Sequence, residues 1–219
     1  MSILNKLIET RHLMKSTAKQ KSLSVIFSIL IGIALGLLAK IVDTPNSNPI
    51  FDDLGGRLGI WVFTATLLSV ISPSPKMAAA KVFAFLGSML SVYYLYTIYF
   101  LHFTPTKEII FWGICAGVSP LCAYIMWYAR GRGLFSNIIA ALPISLLITE
   151  GFGLRHAYLP VHRHYYLIPW LMAIYLVMIV LLLLLIPKNK SQLFAIVSIS
   201  AVLSVFAILF NVLGWIFGG

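Results

Sequence analysis

The sequence predicts an all-α fold, a polytopic transmembrane bundle of seven spans with the N-terminus inside and the C-terminus outside. Three observations predict it. Of the 219 residues, 60% are hydrophobic and 10% charged, and a mean hydropathy of +0.97 lies far above that of soluble domains. Several apolar runs approach or exceed the roughly 20 residues that cross a hydrocarbon core of about 30 Å. The basic residues behind the net charge of +10 gather in short stretches between those runs, as membrane topology and anionic lipid require. Nucleic acid is not needed to explain them.

Residues 1–22 read as a basic cytoplasmic leader and 23–219 as a single seven-helix transmembrane domain. The leader carries Lys6, Arg11, Lys15, Lys19 and Lys21. The apolar run after it is too long for a signal peptide and lacks a small-residue cleavage site, so the start stays uncleaved. Ile3, Leu4, Leu7 and Ile8 suit an interfacial amphipathic helix, and a disordered leader fits equally well.

The first span, about 23–42, contains "SVIFSILIGIALGLLAK", with small residues at Ser24, Ser28, Gly32 and Gly36. Steps of four leave a bare groove along one side of a helix, a surface on which another backbone docks closely. That neighbour is either a helix of the same bundle or a membrane-protein partner. Lys40 lies about 26 Å along the span at ~1.5 Å per residue, which is the outer interface.

The second span, 57–72, is short and ends in Ser-Pro-Ser-Pro at 72–75, so a re-entrant segment is the alternative. The third covers 77–101 and the fourth 109–129, the latter holding Cys115 and Cys122, too far apart along a helix for a disulfide. The fifth covers 134–151. Tyr165, Tyr166 and Trp170 open the sixth, 165–187, and Trp215 lies near the end of the seventh, 193–216, at headgroup depths. No internal repeat is evident.

Charge decides between the two topologies. With seven crossings, eleven of the sixteen Lys and Arg residues fall inside, among them Lys76, Lys81, Arg130, Arg132, Lys188 and Lys190. If the second segment does not cross, the division becomes eight against eight, and the bias disappears. Acidic residues agree: Glu9 is inside, whereas Asp43, Asp52, Asp53, Glu108 and Glu150 lie at the outer side.

Ionisable residues deep in a bilayer mark functional sites by default. Here each falls near an interface: Lys81 reaches the inner surface with its long stem, Arg57 begins a span, and Glu150 ends one and pairs with Arg155. The middle of the membrane offers prolines instead. Pro120 and Pro143 each lie ten residues from the turn "RGRG" at 130–133, about 15 Å from it. Two prolines at one depth free carbonyls that can line a cavity, with Ser119, Ser145 and Asn137 for polar contacts and Gly113 and Gly117 for close approach. Plain kinks are the bland reading of the same residues. Tyr93, Tyr96 and Tyr99 or Phe100 share a face of the third span and can line an aromatic cavity, or can be core and interfacial belt.

The outer loop holds His156, His162 and His164, residue types that suit zinc alongside Glu150 and Asp52 or Asp53. Their spacing fits no fixed metal signature. Glycine-rich phosphate loops, Ser-His-Asp spacing and paired carboxylates are missing, so no common catalytic template applies and no cofactor is expected. The "RGRG" turn is too short for a phosphate loop and suits lipid headgroups.

The stretches "LGIWVFTATLLSVISPSPKMAAAKVF" and "WYARGRG" resemble an uncharacterised family of small bacterial membrane proteins over the first four spans, a resemblance that implies no activity. A compact bundle whose first helix bears a small-residue stripe also looks, loosely, like the substrate-binding components of energy-coupling-factor vitamin transporters. Those usually have six spans where this chain reads as seven.

Three functions are compatible with these features. The first is binding or transport of a small apolar or neutral solute or lipid near the prolines and the tyrosine face, in a bacterial inner membrane with anionic lipid at the basic loops. The second is a non-transporting accessory or immunity-type protein contacting a partner through Gly32 and Gly36. The third is a metal-dependent membrane hydrolase using the outer histidines.

Overall fold

A computed structural model describes Arg11 and residues 16–42, 57–157 and 165–217. The described residues are almost wholly helical and contain no strand. In chain order the helices are α1 (Ala18–Val42), α2 (Leu58–Val70), α3 (Pro75–Leu101), α4 (Thr106–Met126), α5 (Leu134–Ala157), α6 (Ile168–Leu185), α7 (Lys190–Leu209) and α8 (Val212–Phe217). Two 3-10 turns, Trp127–Arg130 and Tyr165–Leu167, precede α5 and α6. Six helices are long and apolar enough to cross a membrane, namely all but α2 and the short α8. The chain is a multi-helix protein of membrane type.

Contacts divide the chain into two compact units, one of residues 12–56 and 65–127 and the other of 1–11, 57–64 and 128–219. In the first, α3 is the hub and packs against both α1 and α4. α1 begins inside the stretch read as leader, because Thr17 and Gln20 cap its start reciprocally: Thr17 N–H donates to Gln20 Oε1 at 3.0 Å, and Gln20 N–H to Thr17 Oγ1 at 3.3 Å. Its buried residues include Ser28, Gly32, Gly36 and Lys40, one every four positions. Leu23, Ile26, Phe27, Leu30, Leu37, Leu38 and Ile41 face outward. The helix is thus asymmetric in side-chain size: small residues meet the neighbouring backbone and large ones are exposed.

That approach is close. A Cβ on Gly32 would collide with Ser88 Oγ and the Phe85 carbonyl, and one on Gly36 would lie 2.6 Å from the Met89 carbonyl oxygen. Ser88 Oγ donates both to Ile29 O of α1 at 3.2 Å and to Phe85 O of α3 at 3.0 Å. α3 starts where the sequence demands. Pro75 occupies the first turn, and the N-cap Ser74 Oγ accepts from Met77 N–H at 3.3 Å.

In the second unit α5 is the hub, flanked by α6 and α7. α6 buries Leu171, Tyr175, Met178 and Leu182, a stripe at alternating steps of four and three. α7 buries Gln192, Ile196, Ser200 and Ser204 at steps of four. Ser200 and Ser204 each donate to the carbonyl four residues back at 2.7 Å. They also lie 3.4 and 3.3 Å from Ala141 O and Ser145 O of α5, so the serines join two helices without a bulky side chain between them. At the start of α7, Asn189 Oδ1 accepts from Gln192 N–H at 2.7 Å, while the Gln192 carboxamide accepts from Lys188 N–H at 2.9 Å and donates to Gly131 O at 3.1 Å. The hub is the middle long helix in one unit and the first in the other, so the two are not copies of one arrangement.

Candidate functional site

Two prolines interrupt long helices as expected, Pro120 in α4 and Pro143 in α5. They belong to different units. A helical proline leaves the carbonyl four residues earlier without its usual partner. For Pro120 that carbonyl is Ala116 O, and it accepts from Ser119 Oγ at 2.8 Å. Ser145 Oγ donates to Leu142 O at 2.8 Å, and Ser145 O accepts from Thr149 Oγ1 at 2.8 Å and Ser204 Oγ at 3.3 Å. The hydroxyls of Ser119 and Ser145 are thus engaged with nearby backbone, while Asn137 Oδ1 has no hydrogen-bond partner among the described residues. A Cβ on Gly113 or Gly117 would meet nothing within 4 Å, so these glycines mark no close helix approach. Cys115 and Cys122 are free thiols.

The tyrosines of α3 divide among different surroundings. Lys40 Nζ lies 3.5 Å from Tyr93 Oη and 4.6 Å from its ring centroid, a cation-π contact from α1. Tyr94 meets Tyr93 edge-on at 5.3 Å, and Tyr96 stacks on Phe100 at 4.7 Å. Tyr99 is 70% exposed and turns outward. Lys40, expected at the outer interface, is buried over Tyr93; Asp43, Asp52 and Asp53 lie outside the described residues. Lys81 is likewise buried, less than two turns into α3.

The polar cluster that sequence reading missed surrounds Glu150. α5 runs to Ala157, so this carboxylate sits two turns before the helix end rather than at it. Glu150 Oε1 accepts from Leu58 N–H, the first residue of α2, at 3.1 Å. Gly59 leaves room for the carboxylate and for α6: a Cβ there would lie 2.5 Å from Glu150 Oε2 and 2.8 Å from Tyr175 Oη. Tyr175 is buried, and both its hydroxyl and the Arg57 charge act on the carboxylate. A negative charge at the positive end of a helix, with an arginine beside it, compensates the cost of taking it from water. Charge matching along the sequence pairs Arg57 with Asp53, which lies outside the described residues. The Leu58 N–H bond ties the start of α2 to α5, and the close fit at Gly59 brings Tyr175 of α6 against the same place.

Of the proposed metal ligands, His162 and His164 lie outside the described residues, and only the backbone of His156 is described. Among the described residues, no three His, Cys, Asp or Glu side chains gather to hold a metal ion. The small-residue stripe Ser28, Gly32 and Gly36 lies against α3 of its own chain, with Ser24 half-buried at its start. The opposite side of α1 is open. There Gln20, Leu23, Ile26, Phe27 and Leu30, with Ser24 at the edge, form an open, largely apolar strip along α1 alone, with a volume of about 410 Å³.

The chain matches no family model, no curated protein and no solved structure.

Proposed function

We propose that this chain is a seven-span protein of a bacterial inner membrane that binds, and in doing so can carry, a small apolar or neutral solute or a lipid. The supporting observation is the groove on α1. It is an open apolar strip of about 410 Å³ on the face of one helix, reached from the surroundings rather than through an enclosed cavity. Its walls are Leu23, Ile26, Phe27 and Leu30, with the polar Gln20 and Ser24 toward one end. An apolar molecule already dissolved in the bilayer enters such a groove without crossing water. A partner docking through Gly32 and Gly36 would have to displace α3, which makes the accessory reading the weaker one.

Seven crossings require α2 to traverse, although 13 residues span only about 20 Å. Its two anchors support a traverse. At its start Leu58 is bonded to Glu150, sixteen residues beyond the start of α5. Just past its end Ser72 O accepts the indole N–H of Trp127 at 2.8 Å, at the close of α4 and seven residues before α5 begins. One anchor is therefore near the beginning of α5 along the chain and the other near its far end. With α2 crossing, the charge division places the N-terminus inside.

Extraction in mild detergent followed by mass spectrometry of the intact protein tests the binding reading. An apolar molecule retained at about one per chain, and lost when Ser24→Trp fills the groove, is the expected result. Protein that carries no such molecule, or carries it equally in both forms, overturns the reading.

A further inference from the structure

We infer that the apolar strip on α1 takes an acyl chain of an anionic phospholipid, whose phosphate lies against Lys19 and Lys21 at the start of the helix. The inference rests on the reading of that strip as a binding surface and names the class of molecule it holds. Length is the first argument. Gln20 and Leu30, the ends of the strip, are about 15 Å apart along a helix at ~1.5 Å per residue, which is half of a hydrocarbon core of about 30 Å. The strip is therefore as long as one leaflet is thick, and a chain lying in it reaches from the headgroups to the midplane. Its polar members, Gln20 and Ser24, stand at the end where α1 begins, so the headgroup belongs there.

Charge is the second argument. Lys19 precedes Leu23 by four residues and Ile26 by seven, which puts it on the strip's own face of the helix, and Lys21 is one turn from Ser24 at the edge. Both lysines are exposed. Neither serves the helix itself, because a cation at the positive end of the macrodipole is unfavourable. α3 adds to the same end. Gly32 packs on Phe85, Gly36 on Met89 and Lys40 on Tyr93, each pair 53 residues apart, so α1 and α3 run parallel, and Lys76 and Lys81 of α3 come level with Leu23 and Ser28 of α1. No acidic residue lies between Glu9 and Asp43 or between Asp53 and Glu108 in the sequence, and Glu108 stands in the first turn of α4, past the far end of α3. This end of the helix pair, with Lys19, Lys21, Lys76 and Lys81 and no carboxylate on either helix, is complementary to an anionic headgroup, since lysines clustered at a membrane surface attract acidic lipid.

The test uses the full chain in bilayer discs holding phosphatidylglycerol and phosphatidylcholine of identical acyl chains in equal amounts, and mass spectrometry of the intact protein counts the lipid it retains. The variants are the double substitution Lys19→Gln with Lys21→Gln, Ser24→Trp, and Lys190→Gln, an exposed lysine at the start of α7. The substituted lysines are exposed, so the packing of α1 on α3 stays intact. The expected result is about one phosphatidylglycerol per chain, retained in preference to phosphatidylcholine. That preference falls at least about tenfold in the double lysine variant and is unchanged in Lys190→Gln, while Ser24→Trp loses the retained lipid altogether. Equal retention of the two lipids, both lost in Ser24→Trp, overturns the proposal and leaves the strip as a binding surface for uncharged molecules. Retention that Ser24→Trp does not change overturns the proposal together with the reading of the strip. An equal fall in Lys190→Gln overturns it as well, since the preference then comes from general surface charge.

Discussion

Glu150 reaches a backbone N–H 92 residues away in sequence, and the physical consequence is testable with two substitutions. Glu150→Ala leaves the first turn of α2 without its cap and Arg57 without its nearby anion, whereas Glu150→Gln keeps an acceptor and loses only charge. Leaving a buried donor without a partner costs about 1–3 kcal/mol. Thermal unfolding in detergent should therefore rank wild type above Gln and Gln above Ala; an Ala variant as stable as wild type would show that the cap contributes nothing. Sequence reading placed Glu150 at the end of a span drawn over 134–151, yet the helix continues to Ala157. A contact between residues so distant leaves no local pattern, so the carboxylate was legible as an ionisable group and its partner Leu58 was not.

Helices pose a different question, because one motif takes two roles. Gly32 and Gly36 press on α3, while Gly113 and Gly117, also four apart, face open space. Spacing marks the groove; only packing tells whether another backbone enters it. Gly36→Ala should destabilise the α1–α3 pair, since its Cβ would lie 2.6 Å from a backbone oxygen that cannot rotate away, and overpacking costs about 1–3 kcal/mol. Gly117→Ala should be neutral or stabilising by up to about 1 kcal/mol, through better helix propensity. Paired melting curves of the two variants check this, and equal destabilisation of both would contradict the packing. The stripe on α1 was visible because glycines interrupt a run of Ile and Leu. The serine stripe of α7 was not, because serines at single positions are common in membrane helices and their value lies in reaching Ala141 and Ser145 on another helix.

For the chain taken together, hydropathy made six candidate spans legible and left the proposed seventh to the charge argument. The six long helices stand out by length and composition, properties local to each segment. α2 does not, since 13 residues fall short of the roughly 20 that a hydrocarbon core of about 30 Å asks for. A short span is tolerated where the bilayer thins or flanking groups reach the interface, and both ends of α2 hold such groups: Arg57 at its start, with Glu150, and the Ser72 carbonyl past its end, bonded to the Trp127 indole. If α2 crosses, the two chain termini lie on opposite sides of the membrane; if it turns back, they lie on the same side. Alkaline phosphatase fused after Gly219 should then be active outside, and the same reporter inserted between Gly131 and Arg132 should be silent. A fluorescent protein at Gly219 that glows from the cytoplasm would instead place α2 on one side, return the basic residues to an even division between the faces, and remove the charge argument on which the orientation stands.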